Sequence, residues 1–316
     1  MDGYLDCMKQ PYLLAAIRKL STKPVWWWER RRSYSIRSRF RSLAPLSVRQ
    51  GARKFVVLTT PGNLNDALWT AWSWYRYLRD EGFDLQIAVD GAISDEDSAA
   101  ASMLFPGVSM NEARAACQYV CERQPALESF LSNYPMGRKL AVILALSDQG
   151  PIVYSDHDVL AFDTPGELLT CIRDHVACYF LEEVDGSCDR SIVERAGALG
   201  MQCIPRFNSG FLHIPKGGLS METAAEILAT WQPPGETWFA EQTVLSILLG
   251  RAGAQALPSD RYVISGRRQF YWEKDVDYKK IVARHFTGPV RHVMYRHAFP
   301  ILLQQSGLRR EEPVHV

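Results

Sequence analysis

Residues 151–162 read PIVYSDHDVLAF and place two carboxylates between two apolar segments. The mostly apolar run from Pro151 to Ser155 is typical of a strand buried on both faces of a parallel sheet. Open α/β sheets bind ligands at the carboxyl ends of such strands, and Asp156 and Asp158 follow there. Carboxylates at i and i+2 are spaced to approach one hard cation, which can bridge a diphosphate. On this context alone the stretch predicts either a metal or phosphate site or a solvated turn.

The Asp-x-Asp pattern by itself carries little information, because it occurs three times in the chain. Asp95 and Asp97 belong to a polar loop, SDEDS, and Asp275 and Asp277 belong to a charged stretch, EKDVDYKK. Only the pair inside residues 151–162 lies between apolar segments. A carboxylate there is costly unless it is paired or binds a metal, so this pair is the one to follow.

Length and charge place the chain among soluble globular proteins. At 316 residues it is long enough for one large α/β domain or two small ones. The net charge is +1, but residues 1–54 hold thirteen Lys or Arg against three acids, and the remainder is acidic. The basic charge is therefore concentrated at the N-terminus, and we expect no nucleic acid partner.

The seven cysteines are scattered and odd in number, which favours free thiols and a reducing cytoplasm. Cys117 and Cys121 have the spacing of one helix face but no second pair or nearby His, so we interpret them as core thiols rather than a zinc site. No apolar run has the length of a membrane span, and the N-terminus lacks a signal-peptide pattern. We expect a cytoplasmic protein.

Residues 1–50 are predicted to form a basic arm, residues 51–300 an α/β domain, and residues 301–316 a polar tail. Within the arm, Trp residues 26–28 are followed by Arg residues 30–32. This composition is typical of an interfacial membrane segment, and it also suits a phosphorylated partner. The alternative, slightly favoured, is that the Trp cluster packs on the domain while the arginines are solvated.

The first part of the domain predicts a strand, a helix and a second strand at residues 54–60, 67–78 and 85–90. Asn65 or Asp66 is suited to cap the helix. This β-α-β opening is typical of a nucleotide-binding α/β sheet. No Gly-rich dinucleotide or P-loop motif follows the first strand, so neither of those folds is supported.

The middle of the domain alternates helices and strands around residues 151–162. A helix is predicted at 138–146, another at 168–176, and a strand at 177–184. Three acids near the end of this strand are either catalytic carboxylates or a polar strand end: Glu182, Glu183 and Asp185.

Two later stretches carry chemistry-bearing residues. Asn-Ser-Gly at residues 208–210 separates two strand-like segments, as either a ligand-facing loop or an ordinary turn. A helix follows at 238–249. His285, Gly288 and Arg291 recur at three-residue intervals in a predicted turn, where the histidine is either a ligand or a satisfied core residue.

Taken in order, these motifs resemble the GT-A glycosyltransferases, specifically the retaining family that includes glycogenin and the bacterial lipopolysaccharide galactosyltransferases. The resemblance covers residues 54–295. It implies an α/β fold with a mixed, mostly parallel sheet flanked by helices, and a Rossmann-like nucleotide-binding half.

The resemblance also implies a metal and a donor site. Asp156, Asp158 and His285 match the residues that bind Mn²⁺ or Mg²⁺, with Asp156 also touching the donor. Gly288 and Arg291 match a Gly and a basic residue that hold the diphosphate; the family usually has Lys in place of Arg291.

Further donor contacts and catalytic roles follow from the same resemblance. Lys139 matches a basic residue that reaches the donor sugar, and Thr59 of the first predicted strand is also assigned to donor binding. The polar segment beside the donor sugar and the acid-amide pair near the anomeric carbon are Asn208, Ser209, Gly210, Glu241 and Gln242. Asn208, Glu241 and Gln242 are the residues assigned to catalysis. The family's Asp and Tyr after the first strand have no counterpart in TTPGNLND, and UDP is the default nucleotide.

The function implied is metal-dependent transfer of a sugar from a nucleotide-diphosphate donor to an acceptor hydroxyl. A retaining enzyme would use front-face attack, whereas Glu241 or Glu183 could act as a base in an inverting one. The acceptor stays open among a glycolipid, a protein and a small molecule. The main alternative is a non-catalytic GT-A-like module that acts through the basic arm. If the protein is an enzyme, we expect removal of residues 1–48 to spare donor hydrolysis.

Overall fold

The computed structural model describes residues 34–181, 188–232, 238–264 and 276–307. The Trp-rich part of the predicted arm, the three acids of residues 182–185 and the end of the predicted tail lie outside these ranges. In the described part of the chain, no helix has the length and apolar character needed to cross a membrane.

Within the described ranges, ten strands form two sheets. They are β1 Arg53–Thr59, β2 Phe83–Val89, β3 Ser109–Glu112, β4 Ile152–Asp156, β5 Val159–Ala161, β6 Cys178–Leu181, β7 Phe207–Ile214, β8 Gln255–Ala256, β9 Tyr262–Ile264 and β10 Ala283–His285. The large sheet has the order β3-β2-β1-β4-β7-β6-β8, and the small one the order β5-β10-β9. In the large sheet only β7 runs antiparallel to its neighbours β4 and β6. The predicted mixed, mostly parallel α/β sheet is confirmed.

Helices cover both faces of the large sheet. They are α1 Tyr34–Ser38, α2 Leu64–Leu78, α3 Asp95–Leu104, α4 Ala113–Arg123, α5 Glu128–Asn133, α6 Gly137–Gln149, α7 Gly166–Arg173, α8 Arg190–Ala198, α9 Met221–Leu228, α10 Ala240–Arg251, α11 Arg291–Val293 and α12 Phe299–Gln305. A π-helical turn, Met294–Ala298, joins the last two. Successive side chains of a strand point to opposite faces. Phe55 and Val57 of β1 accordingly belong to the core that contains α2, and Val56 belongs to the core that contains α6 and α10.

Two predicted local structures were wrong. The Asn-Ser-Gly segment is not a turn, because β7 runs through it and all eight of its residues are buried between neighbouring strands. Helix α2 begins at Leu64, so Asp66 does not cap it. Asp66 is instead fully buried in an ion pair with Arg37.

Three element boundaries also differ from the prediction. Helix α7 ends at Arg173, because His175 adopts a left-handed backbone with φ 56°. Helix α10 continues through Gly250 to Arg251. Helix α6 begins at Gly137 and ends at Gln149, which extends it beyond the predicted residues 138–146.

The two outer segments pack against the domain where the structure describes them. Phe40 and Leu43 are buried in the core that contains α2. Helix α12 passes residue 300, because Leu302 and Leu303 are buried in the same core. The division of the chain at residues 50 and 300 stays a prediction.

Candidate functional site

The two central aspartates lie where the two sheets meet. Asp156 is the last residue of β4, and Asp158 stands in the turn that leads to β5. Strand β5 pairs antiparallel with β10, with Val159 opposite His285. The backbone N–H of Phe286 donates to the carbonyl of Asp158 at 2.8 Å. This register brings His285 beside the aspartate pair.

Helix α2 fixes the backbone of the turn after β4 and of β5 through polar side chains. Three bonds do so: Thr70 Oγ1 donates to His157 O at 2.7 Å, Trp74 Nε1 donates to Val159 O at 2.9 Å, and Ser73 Oγ accepts from Ala161 N at 3.0 Å. Each bond satisfies a backbone group that the two short strands leave unpaired. The aspartates therefore project from a rigid backbone.

Asp156, Asp158 and His285 form a group able to hold a metal ion. One ligand atom from each residue lies within 4.8 Å of the others. His285 Nε2 is 3.3 Å from Asp158 Oδ1, and both side chains are more than nine-tenths buried. Two carboxylates and an imidazole suit a hard or borderline divalent cation such as Mn²⁺ or Mg²⁺. The structure thus brings together the three predicted ligands.

Asn208 orients the imidazole of His285. The amide oxygen Oδ1 accepts from the backbone N–H of Gly210 at 2.9 Å and lies 3.0 Å from His285 Nδ1. Because the Gly210 N–H can only donate, the atom it meets is the amide oxygen, so Nδ1 carries the imidazole proton. Nε2, which faces Asp158, is then the ring nitrogen that a cation can bind. Metal-binding histidines are fixed in this way by a partner on the other nitrogen.

Gly210 makes room for that imidazole. A Cβ atom built on Gly210 would lie 2.4 Å from Cε1 and 2.6 Å from Nδ1 of His285. No side chain tolerates such contacts, so only glycine fits between β7 and this ring.

Arg291 completes the group from the far side. Its Nη2 lies 2.5 Å from Asp158 Oδ2. Burial acts to raise the pKa of Asp158, but the charges of a protonated His285 and of Arg291 outweigh it and hold the pKa well below its usual range. Arg291 Nε is buried and, within the described part of the chain, has no hydrogen-bond partner. Gly288 opens the same turn, and a Cβ there would meet nothing within 4 Å.

Lys139 links the metal group to helix α10. Its Nζ lies 3.0 Å from Asp156 Oδ2, 3.0 Å from Ser209 Oγ and 3.2 Å from Glu241 Oε1. Burial acts to lower the pKa of Lys139, but the two carboxylates outweigh it and raise the pKa above its usual value. Ser209 donates to Glu241 at 2.7 Å, and Tyr154 OH donates to Asp156 at 2.5 Å. Lys139 is therefore a fixed cation between two carboxylates.

The remaining predicted residues lie at the same edge of the large sheet as Asp156. Gln242 Oε1 accepts from the backbone N–H of Ser209 at 3.2 Å, which joins the start of α10 to β7. Thr59 is the last residue of β1, and its hydroxyl donates to the carbonyl of Thr60 at 3.2 Å. The roles assigned to these residues in donor binding and catalysis stay predictions.

Several supporting residues were not found from the sequence. Tyr154 stands two residues before Asp156 on one strand face, and the period of a strand is a signal that could have found it. Arg138 pairs with Asp90 at the end of β2, beside Lys139, without any local signal. The three α2 side chains that bind the backbone of the turn after β4 and of β5 also lack a local sequence signal, because their partners are backbone atoms far away in sequence.

Comparison with solved structures identifies the fold. The bifunctional glycosyltransferase WbbM in its apo form has a TM-score of 0.53 and 14% identity, covering 78% of this chain and 47% of WbbM. The galactosyltransferase LgtC, in complex with donor and acceptor sugar analogues, has a TM-score of 0.53 and 17% identity, covering 82% of this chain and 98% of LgtC. The chain spans about half the length of WbbM and nearly all of LgtC. No family profile and no curated protein sequence matches the chain.

This protein therefore has the GT-A fold, which it shares with the glycosyltransferases WbbM and LgtC. The resemblance inferred from the motif order is confirmed at the level of the fold.

Proposed function

We propose that this protein is a metal-dependent glycosyltransferase that moves a sugar from a nucleotide-diphosphate donor to an acceptor hydroxyl. The observation that carries the proposal is the group of Asp156, Asp158 and His285 at the carboxyl edge of a GT-A-fold sheet. UDP is the nucleotide we expect, from the motif resemblance.

The metal fits the residues present. The proton on His285 Nδ1 is used by Asn208, so Nε2 is free to bind a cation beside Asp156 and Asp158. A bound Mn²⁺ or Mg²⁺ would supply Lewis-acid stabilisation of the diphosphate leaving group.

Arg291 is proposed to bind the diphosphate. It now pairs with Asp158, and its Nε has no hydrogen-bond partner among the described residues. A guanidinium with an unused buried donor gains from a phosphate oxygen, because charge-assisted hydrogen bonds are about twice as strong as neutral ones. Gly288 leaves open space in the same turn for the approach of that phosphate.

Lys139, Ser209 and Gln242 are proposed to form the sugar side of the site. The carboxylate of Glu241 is 98% buried and binds Lys139 and Ser209, so we propose that Glu241 holds these groups in place instead of accepting a proton from the acceptor. This assignment favours the retaining reaction, in which the acceptor hydroxyl attacks from the front face.

The acceptor side is proposed to lie at the start of α10. Trp238 is 69% exposed and precedes Glu241 by three residues, and Phe239 is exposed beside it. Exposed aromatic rings beside a buried polar site suit the apolar face of a sugar-bearing acceptor. We further propose that the protein is cytoplasmic and contacts a membrane surface through residues 1–50.

The experiment is a turnover assay with a panel of UDP-sugars and Mn²⁺, which follows release of UDP with and without EDTA. We expect slow hydrolysis of one donor in Mn²⁺ and none in EDTA. A folded protein that neither hydrolyses nor binds any nucleotide sugar would support the alternative, a non-catalytic GT-A-like module that acts through its basic arm.

A further inference from the structure

A second buried charge cluster lies outside the donor site. Arg37 of α1 makes a two-pronged ion pair with Asp66 of α2: Nε to Oδ1 at 2.7 Å and Nη2 to Oδ2 at 3.1 Å. Nη2 also donates to the carbonyl of Gly62 at 3.0 Å. Asp66 has no exposed surface and Arg37 is 7% exposed. Burying such a pair is a poor way to gain stability, because desolvation offsets the attraction, so its geometry points to a role in fixing structure.

Tyr295 is the third member of the cluster. Its hydroxyl donates to Asp66 Oδ2 at 2.8 Å, and the guanidinium of Arg37 lies 5.5 Å from the centre of its ring. Tyr295 follows Arg291 by four residues in the same helical run, so the two side chains share one face of it. Asp66 is therefore joined to the helix that carries the proposed diphosphate-binding residue.

The helical run that carries Arg291 and Tyr295 connects this cluster to the donor site. Arg291 Nη2 lies 2.5 Å from Asp158 Oδ2, and Tyr295 of the same run binds Asp66. Arg37 is the cation that balances Asp66 from the N-terminal side.

A further contact joins α1 to α2, the helix that supports the proposed metal ligands. Trp69 Nε1 donates to the carbonyl of Arg37 at 3.0 Å, and its ring stacks on Phe299 of α12 at 4.4 Å. Trp69 is adjacent to Thr70, whose hydroxyl donates to the carbonyl of His157 between the two aspartates. This buried region therefore joins three parts of the chain: α1, the helix α2 that supports the turn after β4, and the C-terminal helix α12.

We propose that Arg37 and Tyr295 are positioning residues of the donor site, which act through Asp66 to hold Arg291 against the diphosphate position. The inference rests on the proposed function. It makes the segment around residue 37 a working part of the enzyme. The expectation that removal of residues 1–48 spares donor hydrolysis is thereby replaced by the opposite one.

The test compares Tyr295→Phe with Tyr262→Phe in the full-length protein. Both tyrosines are buried and donate to a carboxylate, and Tyr262 of β9 binds Glu167 at 3.0 Å, neither of which belongs to the proposed donor site. The probe is UDP with Mn²⁺, measured by calorimetric titration. We expect Tyr295→Phe to raise the Kd of UDP about fivefold or more, from the loss of a hydrogen bond to a charged group, and Tyr262→Phe to leave it unchanged. The Kd of Mn²⁺ alone should change in neither variant.

A purely structural role gives a different result. If Tyr295→Phe lowers the melting temperature but binds UDP as tightly as the wild type, or if both variants weaken UDP equally, the inference is wrong. Arg37→Lys provides a second arm: it keeps the charge but loses the two-pronged geometry, and should give a smaller increase in Kd than Arg37→Met. If the wild type binds no nucleoside diphosphate with Mn²⁺, the proposed function fails first and the inference falls with it.

Discussion

Two buried charge clusters among the described residues differ in how completely their atoms are paired. In the clasp, formed by Arg37, Asp66 and Tyr295, both carboxylate oxygens of Asp66 have partners within hydrogen-bond distance. In the donor cluster, formed by Asp156, Asp158, His285 and Arg291, three ligand atoms converge on one place. The nitrogen Arg291 Nε in that cluster is buried without a partner in the described part of the chain.

This difference indicates that the clasp has a structural role, whereas the donor cluster is able to bind a ligand. A saturated cluster has nothing to gain from a ligand, and its removal leaves a costly unpaired charge. A cluster with convergent acceptors and an unused donor gains from a cation and an anion together, which is what a metal diphosphate supplies. The following predictions test that distinction, from the largest expected effect to the smallest.

Asp158→Asn should have the largest effect. It removes one charge from the donor cluster, so metal-dependent donor binding should fall by more than about 100-fold, beyond the loss seen when outer partners of metal ligands are mutated. The assay is titration of UDP with Mn²⁺.

Asp97→Asn is the matched control, since Asp97 belongs to another Asp-x-Asp triplet and only caps helix α3. Equal donor binding by both variants and the wild type would place the metal elsewhere.

Gly210→Ala should weaken Mn²⁺ binding by about 10- to 100-fold, as for other changes that displace a metal ligand. The added methyl would overlap His285 and push its imidazole away from the two aspartates. Titration of Mn²⁺ alone measures this effect.

Gly197→Ala is its control, because a Cβ at Gly197 in helix α8 meets nothing within 4 Å. A Gly210→Ala protein that is folded and binds Mn²⁺ normally would contradict the role given to His285.

His213 sharpens the comparison, since it is a buried group with an unused nitrogen but lies at the opposite end of the sheet. Its Nδ1 lies 3.0 Å from the carbonyl of Ile152, and among the described residues its Nε2 has no partner. Burial lowers the pKa of His213 to about 4 from 6.5. The unfolded chain therefore binds a proton first as the pH falls. Stability contributed by this group is lost from pH 6.5 down to about 4, by about 1.4 kcal/mol per pH unit.

Urea unfolding of the wild type and His213→Gln between pH 4 and 7 checks this. The difference in unfolding free energy between the two proteins should shift in favour of the variant as the pH falls. Donor binding should be the same in both at pH 7. A pH-independent difference would show that His213 does not titrate as its burial requires.

The parts of the site predicted from the sequence are those that local pattern fixes. An apolar strand followed by Asp156 and Asp158 is expected to place them at the carboxyl edge of an α/β sheet. The family resemblance supplied His285 and also Arg291, which is 133 residues from Asp158 in sequence. The GT-A fold followed from the order of the same motifs.

The clasp could not be predicted, because no local pattern relates its members. Tyr295 and Asp66 are 229 residues apart, and Asp66 has the residue type and place of a helix cap. Asn-Ser-Gly has the composition of a loop or a turn, whereas neighbouring strands on both sides keep it extended. In both cases tertiary contacts override a sound local preference.

The most direct test of the central claim is a thermal-shift measurement with nucleoside diphosphates and nucleotide sugars, in Mn²⁺ and in EDTA. At a hundred times its Kd a ligand bound only by the folded state adds about 2.7 kcal/mol of stability. The account predicts a shift with one nucleotide series in Mn²⁺ that disappears in EDTA and in Asp158→Asn. Either no shift with any nucleotide, or an equal shift in EDTA, would contradict it.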